Sequence, residues 1–273
     1  MKFLVYNYST PWNTQPLYFN TCLNTLSGTQ SVMFDNSLSV FDNFDKVEPD
    51  IFITSIENLH KDLISYIENN QTKLLKLAIN VDKGNIESVS KLNSLLETLP
   101  IKFLLFGTSK YDNIKNYIHL LNAADVSLSD MKMHQNFEID ELIFINSKEE
   151  IREKNYTYHY TSTNANLKQD VDFILDIRDL KKVLKNYKKI VFANPEYIGT
   201  QIMFESIYSG VKTVFDTTND VTENINDIFK GEKMFSSVKK HHTSLHRLKK
   251  ILSYFTHSTY TDQIDSLIKR LIT

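Results

Sequence analysis

The 273-residue chain has little of what punctuates or crosslinks a protein. Its single cysteine, Cys22, excludes an intrachain disulfide and any cysteine-built metal site. That usage fits a reducing compartment, and a cytoplasmic location is expected. Only six glycines occur, and none falls in a G-x-G-x-x-G or G-x-x-x-x-G-K-[ST] pattern. Glycine-rich phosphate loops are therefore excluded. No apolar run reaches the roughly 18 residues of a membrane span, and the opening segment lacks the long apolar core of a secretory signal. Charge of one sign is not in excess either: 31 Lys and Arg stand against 33 Asp and Glu, a net of −2. A protein that only coats nucleic acid would be basic overall, whereas a catalyst that visits it needs only a local patch. No Asp-x-Asp motif occurs, and His241, His242 and His246 have no nearby carboxylate, so a bound metal is not expected.

What the chain does have is a dense apolar content, 41% of residues, and 12% aromatics. Such a chain can bury a sizeable core. Short apolar runs alternate with helical spacing. Strands are expected at 2–6, 31–34, 50–54, 74–81, 101–106 and 125–128, and helices at 15–27, 56–69, 85–99 and 111–122. A polar, less periodic stretch at 129–153, interrupted by an apolar run at 141–145, reads as a junction. The alternation then resumes. Strands are expected at 156–161, 190–193 and 212–215, and helices at 171–186, 200–208, 221–229, 243–255 and 261–272. This order argues for βαβ units and parallel sheets. The expected organisation is an N-terminal domain over 1–145, a second over 146–255 and a C-terminal helix over 256–273. The expected fold class is α/β, with two Rossmann-like parallel-sheet domains facing a cleft. Ligands of such sheets bind outside the carboxyl ends of the strands.

Four stretches carry a family resemblance. Residues 44–54 place Pro49-Asp50 before a buried strand. Residues 123–129 are Ala-Ala-Asp-Val-Ser-Leu-Ser. Residues 199–214 run from Gly199-Thr200-Gln201 through Glu205-Ser206 to Gly210 before the next strand. His246-Arg247 precedes Leu248, Ile251 and Leu252. Together they resemble the GT-B glycosyltransferases, in a compact form similar to spore-maturation-type enzymes and to the tailed-phage enzymes that glycosylate hydroxymethylcytosine in DNA. The resemblance implies a glycosyltransferase that moves a sugar from a nucleoside-diphosphate donor, best guessed as a UDP-sugar, to a hydroxyl acceptor. No permanently bound cofactor is implied.

The resemblance also implies roles for residues. Glu205, four residues after Gln201 on one helix face, would accept hydrogen bonds from the ribose diol. Backbone N–H groups at Gly199, Thr200 and Gln201 would meet the diphosphate. Tyr160, at the end of the strand at 156–161, would stack on the base, and Ser162, just beyond it, would bind phosphate. Tyr197 would lie near the uracil edge, and Lys168 and Arg178 would balance phosphate charge. In an inverting transfer the general base would come from a strand end of the first half, Asp35 or Asp82; in a retaining transfer neither is needed. Trp12, the only tryptophan, and the basic stretch 230–250 would engage double-stranded modified DNA. The alternatives are the same fold acting on a surface polymer, lipid or protein, or a non-enzymatic two-domain ligand-binding protein.

Overall fold

The computed structural model describes residues 1–8, 14–69, 75–125, 139–145, 157–160, 184, 187–192, 197–215, 225, 227–256 and 258–272. They form an α/β protein with two separate parallel sheets. The chain divides into two compact units. The first comprises Met1–Ser9, Gln15–Leu121 and Leu245–Arg270, and the second Thr10–Thr14, Asn122–Ser244 and Leu271–Thr273. Residues 245–255, expected with the second domain, fall in the first unit, and so does most of the C-terminal helix.

The first unit alternates β1 (Lys2–Val5), α1 (Gln15–Thr25), β2 (Gln30–Met33), α2 (Val40–Val47), β3 (Ile51–Ser55), α3 (Lys61–Asn69), β4 (Lys76–Asn80), α4 (Ile86–Glu97), β5 (Lys102–Gly107) and β6 (Tyr117–His119). The sheet order is β2-β1-β3-β4-β5-β6, and every pairing is parallel. Strands β1 and β3 read as nearly unbroken apolar runs because both faces of a parallel sheet are covered. From β1 the chain steps to β2 on one side, then crosses back to β3 on the other. Right-handed crossovers then place α1 on one face and α2, α3 and α4 on the opposite one. The core of that second face contains Leu4, Phe52, Leu77, Ile79 and Leu105 from the strands, with Phe44, Leu63, Ile67, Val89, Leu92 and Leu96 from the helices.

Local chemistry sets the helix boundaries. Ser39 and Asp42 form a reciprocal capping box at the start of α2, and Glu48 stops that helix in a left-handed conformation at φ 48°. The Asn85 side chain accepts from Ser88 N at 2.9 Å and so caps α4. Sequence spacing predicts a helix over 111–122, but the structure has a short edge strand there. Asn116 adopts a left-handed conformation at φ 56°, which breaks the helical path. Tyr117 to His119 then pair with Leu105 to Gly107 along the open edge of β5. An unpaired strand edge offers a row of hydrogen bonds, and this outweighs the apolar periodicity.

The second unit contains β7 (Ile139–Ile145), β8 (Thr157–Tyr160), β9 (Tyr187–Phe192), α5 (Gln201–Tyr208), β10 (Lys212–Phe215) and α6 (Met234–His241). Its parallel sheet has the order β10-β9-β7-β8. Strand order again reverses at the first strand: β8 lies on one side of β7, and β9 on the other. Gly210, at φ 76°, ends α5 and turns the chain into β10, as its position in the sequence predicts. The strand expected at 125–128 is represented by a bridge from Ala124 to Thr243, and 126–128 lie outside the described residues. Helix α7 (Ser244–Phe255) starts in the second unit and runs into the first, where α8 (Ser258–Ile272) follows. Among the described residues, no helix is long and apolar enough to cross a membrane.

Candidate functional site

Two polar centres stand out, one in each unit. The first lies at the carboxyl edge of the six-stranded sheet, just beyond β4, β5 and β6. Asp82 follows β4 and binds the turn after β5. Its Oδ1 accepts from Thr108 N at 2.5 Å and from Thr108 Oγ1 at 2.9 Å. Its Oδ2 accepts from Asn80 Nδ2 at 2.8 Å. Gly107 lets this approach happen, since a Cβ there would sit 2.9 Å from Asp82 Oδ1. The Tyr117 hydroxyl donates to Gly107 O at 2.9 Å and also contacts Ser109 O. His119 Nε2 lies 2.9 Å from Thr108 O.

Tyr8, beyond β1, belongs to the same edge. Burial pushes its phenol pKa up, the negative charge of Asp82 pushes it further, and the positive charge of Arg247 opposes them. The Tyr117 phenol is raised by burial, then by Asp82 and Tyr111. Both hydroxyls therefore stay protonated and remain hydrogen-bond donors at any physiological pH. Asp35 is apart from this group. It follows β2, where its Oδ1 accepts from Ser37 N at 2.9 Å and Ser37 Oγ at 2.6 Å. These two bonds hold its pKa below the usual carboxylate range.

The second centre is a buried network in the second unit. Helix α5 opens with Gly199 at φ 77° and with Thr200 as N-cap, whose hydroxyl accepts from Met203 N. Thr200 Oγ1 also donates to Tyr197 O at 2.6 Å. Gln201 and Glu205 are both buried, Glu205 at 3% exposure. Gln201 Oε1 accepts from Thr14 N at 3.1 Å, and its Nε2 donates to Thr14 Oγ1 at 3.0 Å and to Asp125 Oδ2 at 2.8 Å. Thr14 Oγ1 and Ser244 Oγ donate further bonds to the Asp125 carboxylate. Glu205 Oε1 accepts from Asp125 N at 2.5 Å and contacts Gln201 Nε2 at 3.4 Å. Five residues from four distant chain segments thus satisfy one another's polar groups, as burial requires.

The residues expected from sequence are distributed as follows. Gly199, Thr200, Gln201 and Glu205 come together at the start of α5. Tyr197 is close by, buried, with its ring 5.3 Å from that of Phe192 and its carbonyl taken by Thr200. Tyr160 ends β8. Trp12, Ser162, Lys168 and Arg178 lie outside the described residues. Asp35 and Asp82 are both at strand ends of the first sheet but belong to separate hydrogen-bond groups.

In the basic stretch, Arg247 is only 6% exposed. Lys240 is 3.6 Å from Glu232, and Lys249 is 2.7 Å from Asp265. His242 stacks on Phe204 with centroids 5.1 Å apart. Among the described residues no group of three His, Cys, Asp or Glu is placed to hold a metal. Sequence reasoning missed Thr14, Ser244, Thr108 and His119. Thr14 lies 187 residues from Gln201, and no local pattern announces such a partner. His119 was hidden by the expected helix. Neither a family model nor a curated protein sequence matches the chain.

Proposed function

We propose that the chain is a glycosyltransferase that takes a nucleoside-diphosphate sugar at the amino end of α5 and passes the sugar to a hydroxyl. The observation that supports this reading most is the unit β9–α5–β10 in a parallel sheet whose strand order reverses at β7. The crevice outside the carboxyl ends at such a reversal is where parallel sheets take ligands. Helix α5 begins just beyond the carboxyl end of β9, so its amino end and dipole favour an anion there. Gly199 adds a left-handed turn with no described atom within 4 Å of the position its Cβ would take, leaving room for a diphosphate against the backbone.

In this reading the first-turn amides and the dipole of α5 meet the diphosphate, while the Gly199 amide is given to Met203 Sδ at 3.4 Å and the Thr200 amide to Tyr197 O at 3.1 Å. Gln201 and Glu205 hold the helix start from beneath, through Thr14 and Asp125. UDP is the proposed nucleotide and Tyr160 a proposed base contact, both carried by the GT-B resemblance. Modified DNA is the proposed acceptor. What supports it is the run Lys230, Lys233 and Lys239 near Phe235, an aromatic ring 39% exposed with Lys239 Nζ 5.6 Å from its centroid. Cations beside an exposed ring suit a nucleic-acid strand.

The test is calorimetric titration with UDP, UMP, ADP and GDP, on the wild type and on Glu205→Gln. Saturable binding of one diphosphate is expected. If Glu205 also touches ribose, Glu205→Gln weakens that binding by about 1–3 kcal/mol. If it acts only from beneath, the affinity stays and the melting temperature falls. No binding to any of the four nucleotides contradicts the proposal.

A further inference from the structure

Strand β2 is an outer strand of the six-stranded sheet, paired on one side only, to β1. Gln30 N donates to Met1 O at 2.9 Å, and Phe34 N to Val5 O at 2.7 Å. Successive residues of a strand aim their backbone groups to opposite sides. Ser31, Met33 and, two residues past the strand, Asp35 therefore turn N–H and C=O away from the sheet. A further strand would pair with these groups.

Two of these three positions are already closed, each by the carboxamide of an asparagine. Asn24, in the last turn of α1, accepts from Ser31 N at 2.8 Å and donates to Ser31 O at 2.8 Å. Asn43, in α2, accepts from Asp35 N at 3.0 Å and donates to Asp35 O at 3.0 Å. A carboxamide carries the donor and acceptor of a peptide unit, so each asparagine imitates one residue of a neighbouring strand. Further bonds hold both ends: Asn43 Nδ2 also donates to Ser39 O at 2.9 Å, and Ser31 Oγ donates to Asn20 Oδ1 at 2.7 Å, one turn before Asn24. Between them, the Met33 backbone groups have no partner among the described residues.

We propose that Asn24 and Asn43 are edge guards that stop β2 from pairing with β2 of a second copy of this chain. The reciprocal bonding is one support, since a helix tie needs only one bond. Origin is another: the guards come from α1 and α2, on opposite faces of the sheet, yet meet the same edge. The opposite edge strand, β6, spans only three residues and is blunt by its shortness. A second copy is the partner excluded because a two-fold axis sets identical edges antiparallel and self-complementary. With both guards in place, only Met33 can face Met33 of the second copy, a single residue pair. Without Asn24, Ser31 of each copy can face Met33 of the other. Without both guards, Ser31 can face Asp35 on either side of the central Met33 pair, and a ladder forms. The guard operates whatever the chain transfers.

Sedimentation velocity of the whole chain over a range of concentrations tests this, beside hydrogen exchange of the β2 amides. In the wild type the Ser31 and Asp35 amides are expected to exchange slowly and the Met33 amide fast at every concentration. Asn24 is exposed, so Asn24→Ala leaves the core intact. It is expected to self-associate at least about tenfold more tightly than the wild type, with the Met33 amide slowing as concentration rises. Asn43 is 1% exposed, so Asn43→Ala is added to Asn24→Ala only with the melting temperature read alongside; where the double variant folds, its association is tighter still. Adding Met33→Lys to Asn24→Ala sets like charges side by side across the paired edges, and is expected to restore wild-type sedimentation. Wild-type sedimentation of Asn24→Ala would overturn the proposal and leave Asn24 as a tie between α1 and β2. Association that Met33→Lys does not reverse would overturn it too, because the new contact then lies elsewhere. So would a wild type whose Met33 amide slows with concentration, because the guarded edge is then pairing.

Discussion

At the scale of single residues, Asp125 concentrates the second unit's polar energetics. Thr14, Gln201 and Ser244 all donate to its carboxylate, and its own amide donates to Glu205. Removing one member of a buried group strands the rest, which costs more than the net worth of any one bond. Asp125→Ala is expected to destabilise the fold by about 2–4 kcal/mol, read from urea unfolding; a change below about 0.5 kcal/mol, the scale of an ordinary surface substitution, would remove Asp125 from this role. Asp35 is the opposite case, a carboxylate whose partners are local. Its lowered pKa comes first from the Ser37 hydroxyl, then from the Ser37 amide. A depressed folded-state pKa contributes stability that is present above the ordinary carboxylate pKa and is lost as pH falls through the folded value. Ser37→Ala should therefore raise the Asp35 pKa toward the usual range, measurable by carbon-13 NMR. An unmoved value would mean that the hydroxyl bond is not the cause. A carboxylate held low is also a weaker base, which weighs against Asp35 as the proton acceptor. That an Asp ends β2 was legible from sequence, and so was the Gln201–Glu205 face. Which partners those side chains meet was not, because Thr14, Asp125 and Ser244 reach the site from far along the chain.

At the scale of elements, patterns that depend on one strong periodicity came through and those set by capping or edge pairing did not. β10 matches its expected bounds, and α4 and α5 match theirs to within two residues. Helix α2 was not anticipated from sequence, although Val40, Phe44 and Val47 are spaced along one helix face and its capping box is a local signature. Ser39→Ala should cost about 1 kcal/mol and lower the thermal midpoint; no shift would mean that the Asp42 side of the box suffices alone. Helix α6 has no side-chain cap at Lys233, so nothing in the sequence marks its start. β6 was misread for a definite reason. Tyr111, Ile114, Tyr117 and Ile118 are spaced like a helix face, yet the tyrosines serve the turn after β5: Tyr111 donates to Gly84 O, and Tyr117 to the carbonyls flanking Thr108.

At the scale of the whole molecule, the α/β class and the two parallel sheets were legible from strand–helix alternation. The membership of the C-terminal segment was not. Residues 245–270 belong to the first unit, tied to it by Tyr254 Oη to Asn116 Oδ1 at 2.8 Å, Lys102 Nζ to Tyr254 O at 2.5 Å and Ser27 N to Gln263 Oε1 at 2.7 Å. Such returns of the chain have no local signal, since a helix carries its apolar stripe whichever sheet it covers. A chain ending at residue 244 should lose the cooperative melting of the first unit; an unchanged melt would show the segment to be an appendage. The central claim, a diphosphate site at the amino end of α5, is met most directly by titrating the intact chain with UDP in a calorimeter beside UMP, ADP and GDP. Saturable one-to-one binding of the diphosphate, tighter than the monophosphate, is the result expected of a helix-end phosphate site. Equal, unsaturable heats from all four nucleotides would contradict it.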